Sequence, residues 1–172
     1  MTPRDVQRSK VYAAEEFVRT LFDRAAERAN PVVDFFGTQL TLPPEARFAS
    51  LHSVRRYVGQ VLLLPAVVAR WGPVPPLGVR PRRGLHAAHY ERGADGAVIA
   101  VPDAQGTWAL RELVVLHEIA HHLSAAQPPH GPEFVTTLCE LAQAVMGPEV
   151  AHVLRVVYAK EGVLGSPGTP RR

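Results

Sequence analysis

The sequence predicts one α+β domain over residues 1–162: N-terminal helices, a small sheet of three or four strands, then three C-terminal helices. Three observations predict it. Apolar residues recur at helical spacing towards both ends of the chain. Two short strand-like runs, joined by a glycine-rich turn, lie in the middle. Prolines and glycines punctuate the boundaries between these segments. A length of 172 residues suffices for one ordinary domain with a real core. With 47% apolar and 20% charged residues, the composition excludes a disordered chain.

The first helix runs from about Arg8 to Ala29. Val11, Ala14, Phe17, Val18, Leu21, Phe22 and Ala25 form its apolar stripe, opposed by Glu15, Glu16, Arg19, Asp23 and Arg24, and Asn30-Pro31 ends it. Phe35 to Leu42 reads as a short strand. Ser50 is a suitable N-cap for a second amphipathic helix through Leu51, Val54, Tyr57, Val58, Val61 and Leu62, which Pro65 breaks or kinks. Trp71 to Pro81 is proline-rich and is expected to be an irregular connection. Strands follow at Leu85–Glu91 and Ala97–Val101. Gly93-Ala94-Asp95-Gly96 joins them, with glycine and aspartate tolerating the positive φ of tight hairpin turns.

In the last third, a helix is expected from about Trp108 to Ala125 with Thr107 as its N-cap, and Pro128-Pro129 force an extended segment after it. A second helix starts near Pro132 and stops at Gly147, with the glycine just past its end, and a third runs from Pro148 to about Glu161, stopped by Gly162. Residues 163–172, rich in Gly, Pro and Ser, read as a disordered tail.

Cys139 is the only cysteine, which excludes a disulfide framework and zinc sites of the common thiolate types. It falls among Val135, Leu138, Ala142 and Met146 and reads as a buried core thiol. The longest apolar run, Val61–Ala69, is too short for a bilayer and is broken by Pro65, so no membrane partner is expected. No signal-like run follows Met1, which makes the cytoplasm the default location. Net charge is +3. The densest basic group, Arg80, Arg82 and Arg83, reads as a solvated strand end, with a nucleic-acid surface the less favoured alternative.

Chemistry concentrates in the histidines. Four of the eight fall between positions 117 and 130, and His117-Glu118-Ile119-Ala120-His121 is an HExxH segment. On a helix, residues i and i+4 share a face one turn apart, so two imidazoles can converge on one cation. Glu118 is rotated about 100° from His117, which takes it off the metal and towards a metal-activated water, as a general base requires. The apolar residues Leu110, Leu113, Val114, Leu116, Ile119, Ala120 and Leu123 surround the axis, so the helix is expected to be largely buried. Carboxylates and imidazoles set into such a helix need partners, and a metal in a cleft supplies them. A third ligand is required. His130, at the entry to the next helix beside Gly131 and Pro132, is the leading candidate, and Glu140 and Glu133 are alternatives.

HEIAHH followed by HGPEF resembles the HExxH…HGxxF signature of SprT/Spartan-like zinc metallopeptidases, over about residues 85–147. The segments AHYERG, IAVP, WALRELVVLHEIAHHL, HGPEF and MGPE are similar to a family of actinobacterial metallohydrolases assigned by similarity, and that resemblance extends over most of the chain. The resemblance implies a zincin-like fold, Zn2+ held by His117, His121 and His130, Glu118 as general base, and a peptide or protein substrate. One cysteine cannot build the zinc ribbon that SprT proteins often carry, which counts against transferring a DNA-repair role.

Further candidates surround this set. His122, four residues after Glu118, has an outer-shell or substrate role open to it, and Glu140 can bond a ligand imidazole if it is not itself a ligand. His89 and Tyr90 on the strand pair, and Tyr158, Arg155 and His152 in the last helix, are the candidate donors to a developing oxyanion. The expected function is zinc-dependent hydrolysis of a peptide or amide bond. The alternatives are a catalytically silent zinc-binding regulatory module and a DNA-associated SprT-like protease.

Overall fold

A computed structural model describes residues 3–84, 87–102, 110–125 and 127–167. The elements follow in the order α1 (Arg8–Glu27), β1 (Val32–Phe35), β2 (Thr38–Thr41), α2 (Leu51–Leu63), α3 (Pro65–Trp71), β3 (Leu77–Arg82), β4 (His89–Gly93), β5 (Gly96–Pro102), α4 (Glu112–Leu123), α5 (Pro132–Met146) and α6 (Pro148–Lys160). The class is α+β, as expected. Chain contacts group the elements into two compact units, Glu45–Leu123 and Met1–Pro44 with Ser124–Arg172. Among the described residues no helix is long and apolar enough to cross a membrane.

The Glu45–Leu123 unit is built on a three-stranded sheet in the order β3-β5-β4. β3 runs parallel to β5, with Val79 opposite Ile99, and β4 runs antiparallel to it, with Tyr90 opposite Ile99. Val54, Val58 and Val61 of α2 are buried and pack towards β3 and α4. Ser50 caps α2 by accepting from the Ser53 backbone N–H, and Pro65 starts α3 as its first residue.

Trp71–Pro81 is more ordered than expected. Its second half is strand β3, which tolerates Pro81 because it lies at the sheet's edge, where an imino nitrogen costs no ladder bond on the open side. In the β4–β5 hairpin, Gly93 pairs with Gly96, but the positive φ falls on Gly96 (118°) rather than on Asp95.

Helix α4 begins at Glu112, later than expected; Thr107 and Trp108 lie outside the described residues. The backbone ahead of it is held in a bridge instead. Phe48 N–H donates to the Leu110 carbonyl at 2.9 Å and Glu112 N–H to the Ala46 carbonyl at 3.0 Å. Glu45 locks the junction: its carboxylate takes the Arg111 guanidinium at 3.0 and 2.6 Å and accepts from the Leu113 N–H at 3.1 Å. Glu112 accepts from the Tyr57 hydroxyl at 2.5 Å and from the Ala46 N–H at 2.8 Å, and burial together with this carboxylate pushes the Tyr57 phenol well up.

In the other unit α6 packs on both α1 and α5. Val11, Val18, Phe134, Leu138, Leu141, Val153, Leu154 and Tyr158 form its core. The run Phe35–Leu42, expected as one strand, is part of a hairpin. Phe36 and Gly37 both take positive φ (50° and 82°), the pattern of the tight turn that lets β1 pair with β2. Pro132 and Pro148 each open a helix and Gly147 separates α5 from α6, as the sequence predicts. The tail is held at its start. Val163 is buried, its N–H donates to the Tyr158 carbonyl at 2.8 Å, and Ser166 N–H donates to the Pro132 carbonyl and to Thr136 Oγ1. Residues 168–172 lie outside the described residues.

Candidate metal centre

Helix α4 is apolar on nearly every side: all residues from Glu112 to Ala120 are buried, and His122 with them. His117 and Glu118 are therefore only 3% and 4% exposed, while His121 is half-buried. Burying imidazoles and a carboxylate at this depth costs several kcal/mol unless partners or a cation compensate. One helical turn brings the Nε2 atoms of His117 and His121 to 3.2 Å. Ligands 2.0–2.1 Å from a tetrahedral zinc stand about 3.3 Å from one another, so this pair already has the spacing of two such ligands.

His130 is placed by a different set of residues. Gly131 follows it, and its N–H donates to the Pro128 carbonyl at 2.9 Å. A Cβ at position 131 would meet that carbonyl oxygen at 3.0 Å, so the requirement for glycine is close approach and not a positive φ. The His130 ring, 5% exposed, contacts Tyr12 and stands edge-on to Phe134. Its Nδ1 lies 2.7 Å from Asp5 Oδ2, and its carbonyl accepts from Gln7 Nε2 at 3.2 Å. A carboxylate only accepts, so Nδ1 carries the proton and Nε2 is the lone-pair nitrogen of the neutral ring.

One ligating nitrogen from each of His117, His121 and His130 lies within 4.8 Å of the others. Three imidazoles, each offering a lone pair when neutral, can together hold one metal ion, and the residues present fit such a group. Neither Glu133 nor Glu140, the alternative third ligands, belongs to the cluster among the described residues.

The remaining candidates separate into those beside α4 and those engaged elsewhere. His122 Nε2 lies 2.8 Å from the Pro75 carbonyl and Nδ1 lies 3.2 Å from the Tyr90 hydroxyl. Burial holds this imidazole below its usual pKa, with the Arg92 charge acting in the same direction against the Pro75 bond. The Tyr90 ring lies parallel to that of His121, centroids 6.3 Å apart, and its oxygen accepts from Arg92 Nε at 2.9 Å.

His89 stands on the exposed side of β4, between Arg82 (2.8 Å) and Glu91 (2.8 Å). The Tyr158 hydroxyl is buried and donates to Glu15 at 2.7 Å, so its proton is committed. Arg155 donates to Gln143, and the His152 ring stands edge-on to Phe35. Glu140 lines, with Cys139 and Arg155, a cavity of about 390 Å³ beside α5 and α6. Cys139 is buried there, and burial pushes its thiol up to about 12, as a core thiol requires.

Of the three clustered arginines, Arg80 forms a two-pronged ion pair with Glu91 at 2.7 Å, and Arg82 donates to the Ala87 carbonyl and to His89. These pairings lower the Glu91 carboxyl below its ordinary range, the Arg80 hydrogen bond most of all.

Asp5 and Gln7 are the residues that sequence reasoning missed. They lie more than 120 positions from His130, and neither belongs to a motif. No protein-family model, curated protein or solved structure matches the chain.

Proposed function

We propose that the chain is a zinc-dependent metallohydrolase of the HExxH kind, hydrolysing peptide or other amide bonds. The observation that carries this reading is the cluster of His117, His121 and His130 within 4.8 Å, with Glu118 buried next to His117 on the same helix. The three histidines would hold the metal, which when bound supplies Lewis acidity to a substrate carbonyl and makes water a stronger acid.

Glu118 is the general base: it accepts a proton from the attacking water and delivers it to the departing amine nitrogen. Its position one residue after His117 turns it about 100° from that ligand, which suits a base better than a fourth ligand. Burial in an apolar helix keeps bulk water from competing for the proton. Tyr90 stacks against His121 and restricts its ring, so the half-buried ligand is supported from the strand side. The resemblance to SprT-like peptidases favours a protein or peptide substrate over other amides.

The test is Glu118→Gln in zinc-loaded protein against a panel of unfolded protein and peptide substrates. Wild type should cleave, and the variant should retain metal while losing at least a hundredfold in turnover. A zinc-loaded wild type that cleaves nothing in the panel would favour the silent regulatory module instead.

A further inference from the structure

We infer that Asp5 is the positioning residue for His130, holding the third imidazole in the tautomer and orientation that metal binding needs. This rests on the metal-site reading given above. The Asp5 Oδ2–His130 Nδ1 distance of 2.7 Å is that of a charge-assisted bond, and it joins side chains only 20% and 6% exposed.

The bond does more than fill space. The proton that Asp5 holds on Nδ1 leaves the lone pair on Nε2, the opposite edge of the ring. Tyr12 and Phe134 restrict the ring from its sides, and Gln7, two residues after Asp5, ties the His130 carbonyl to the Leu164 backbone. The segment ahead of α1 thus grips both the side chain and the backbone of one residue.

The carboxylate is costly where it sits. Its other oxygen, Oδ1, is buried with no hydrogen-bond partner among the described residues. A carboxylate with one oxygen buried and unbonded, beside a neutral imidazole, is a poor structural device. Beside an imidazole that donates to a dication it becomes a good one, because the ligand's N–H grows more acidic and the carboxylate charge is complemented. A purely structural Asp5 would stabilise the metal-free protein and leave metal affinity alone. A positioning Asp5 must change the affinity.

The experiment measures Zn2+ affinity of the full chain by competition with a chromophoric chelator, together with the melting temperature of the metal-free protein. Wild type, Asp5→Ala and Asp5→Asn are compared. Asp5→Ala should bind Zn2+ 10- to 100-fold more weakly. Asp5→Asn keeps the shape and an acceptor but loses the charge, so it should bind several-fold more weakly while melting close to wild type when metal-free. Asp5→Asn with wild-type affinity would overturn the inference, whatever Asp5→Ala does. Failure of wild type to bind Zn2+ at all would instead remove the metal-site reading, and this inference with it.

Discussion

Tyr90 and His122 are joined by a 3.2 Å hydrogen bond whose polarity is dictated from the far edge of the imidazole. The Pro75 carbonyl, 2.8 Å from Nε2, can only accept, so Nε2 carries the proton and Nδ1 accepts from the Tyr90 hydroxyl. Tyr90 in turn accepts from Arg92, which leaves its hydroxyl proton committed to His122 and its ring laid against His121. Tyr90→Phe should leave the ring in place and strand a buried imidazole nitrogen, at a cost of about 1–3 kcal/mol. Chemical denaturation should register that loss while zinc stoichiometry stays that of wild type. Tyr90→Ala, which removes the ring as well, should also weaken zinc binding.

The start of the HExxH helix depends on a second buried pair. Arg111 and Glu45 side chains are 5% and 3% exposed and meet through two hydrogen bonds, while Glu45 also holds the Leu113 N–H. Removing Arg111 leaves the buried Glu45 charge with only the Leu113 N–H and the more distant Arg47 guanidinium, 3.7 Å away. Arg111→Ala should therefore cost about 3–5 kcal/mol in urea denaturation, far more than an exposed arginine would. An exposed control is Arg83→Ala, for which a change within about 0.5 kcal/mol is expected.

Gly131→Ala separates metal binding from folding. The added methyl would stand 3.0 Å from the Pro128 carbonyl oxygen, so the turn that presents His130 must shift by a few tenths of an ångström. Overpacking of this kind costs about 1–3 kcal/mol. Zinc affinity should fall measurably in the chelator competition, with the metal-free protein still folded by circular dichroism.

Tyr158 should report its burial at alkaline pH. Its phenol is pushed well above the usual value of 10.0, mainly by burial, with the Glu15 charge acting in the same direction. Above pH 10 the unfolded chain releases this proton and the folded chain keeps it, so the unfolded state binds fewer protons and stability falls as pH rises. The slope from this one group reaches about 1.4 kcal/mol per pH unit. The stability difference between wild type and Tyr158→Phe, measured by denaturation from pH 8 to pH 11, should therefore shrink above about pH 10. A difference independent of pH would contradict the account.

What was legible in the sequence was what local chemistry encodes. The helices declared themselves through apolar spacing and through Pro132, Gly147 and Gly162, and the two ligands of α4 through their i, i+4 relation. His130 could be named because it stands at a helix entry beside a glycine and a proline. Features set by distant pairing were not legible. β3 exists because β5 offers it a parallel edge, which a proline-rich segment does not announce. The late start of α4 follows from a bridge to Arg47, in a segment far back in the chain. Asp5 reaches His130 across 125 positions, and a lone aspartate ahead of an amphipathic helix carries no sign of that partner. Similarly, Tyr158 looked available as a donor only because its pairing with Glu15 has no sequence signature.

The central claim is that three imidazoles from one chain hold one metal ion. Metal analysis of the purified protein, wild type against His130→Ala, tests it most directly after dialysis against a low concentration of Zn2+. One Zn2+ per wild-type chain, with loss of most of it in His130→Ala, is the predicted result. Wild type without stoichiometric metal, or His130→Ala retaining a full equivalent, would contradict it.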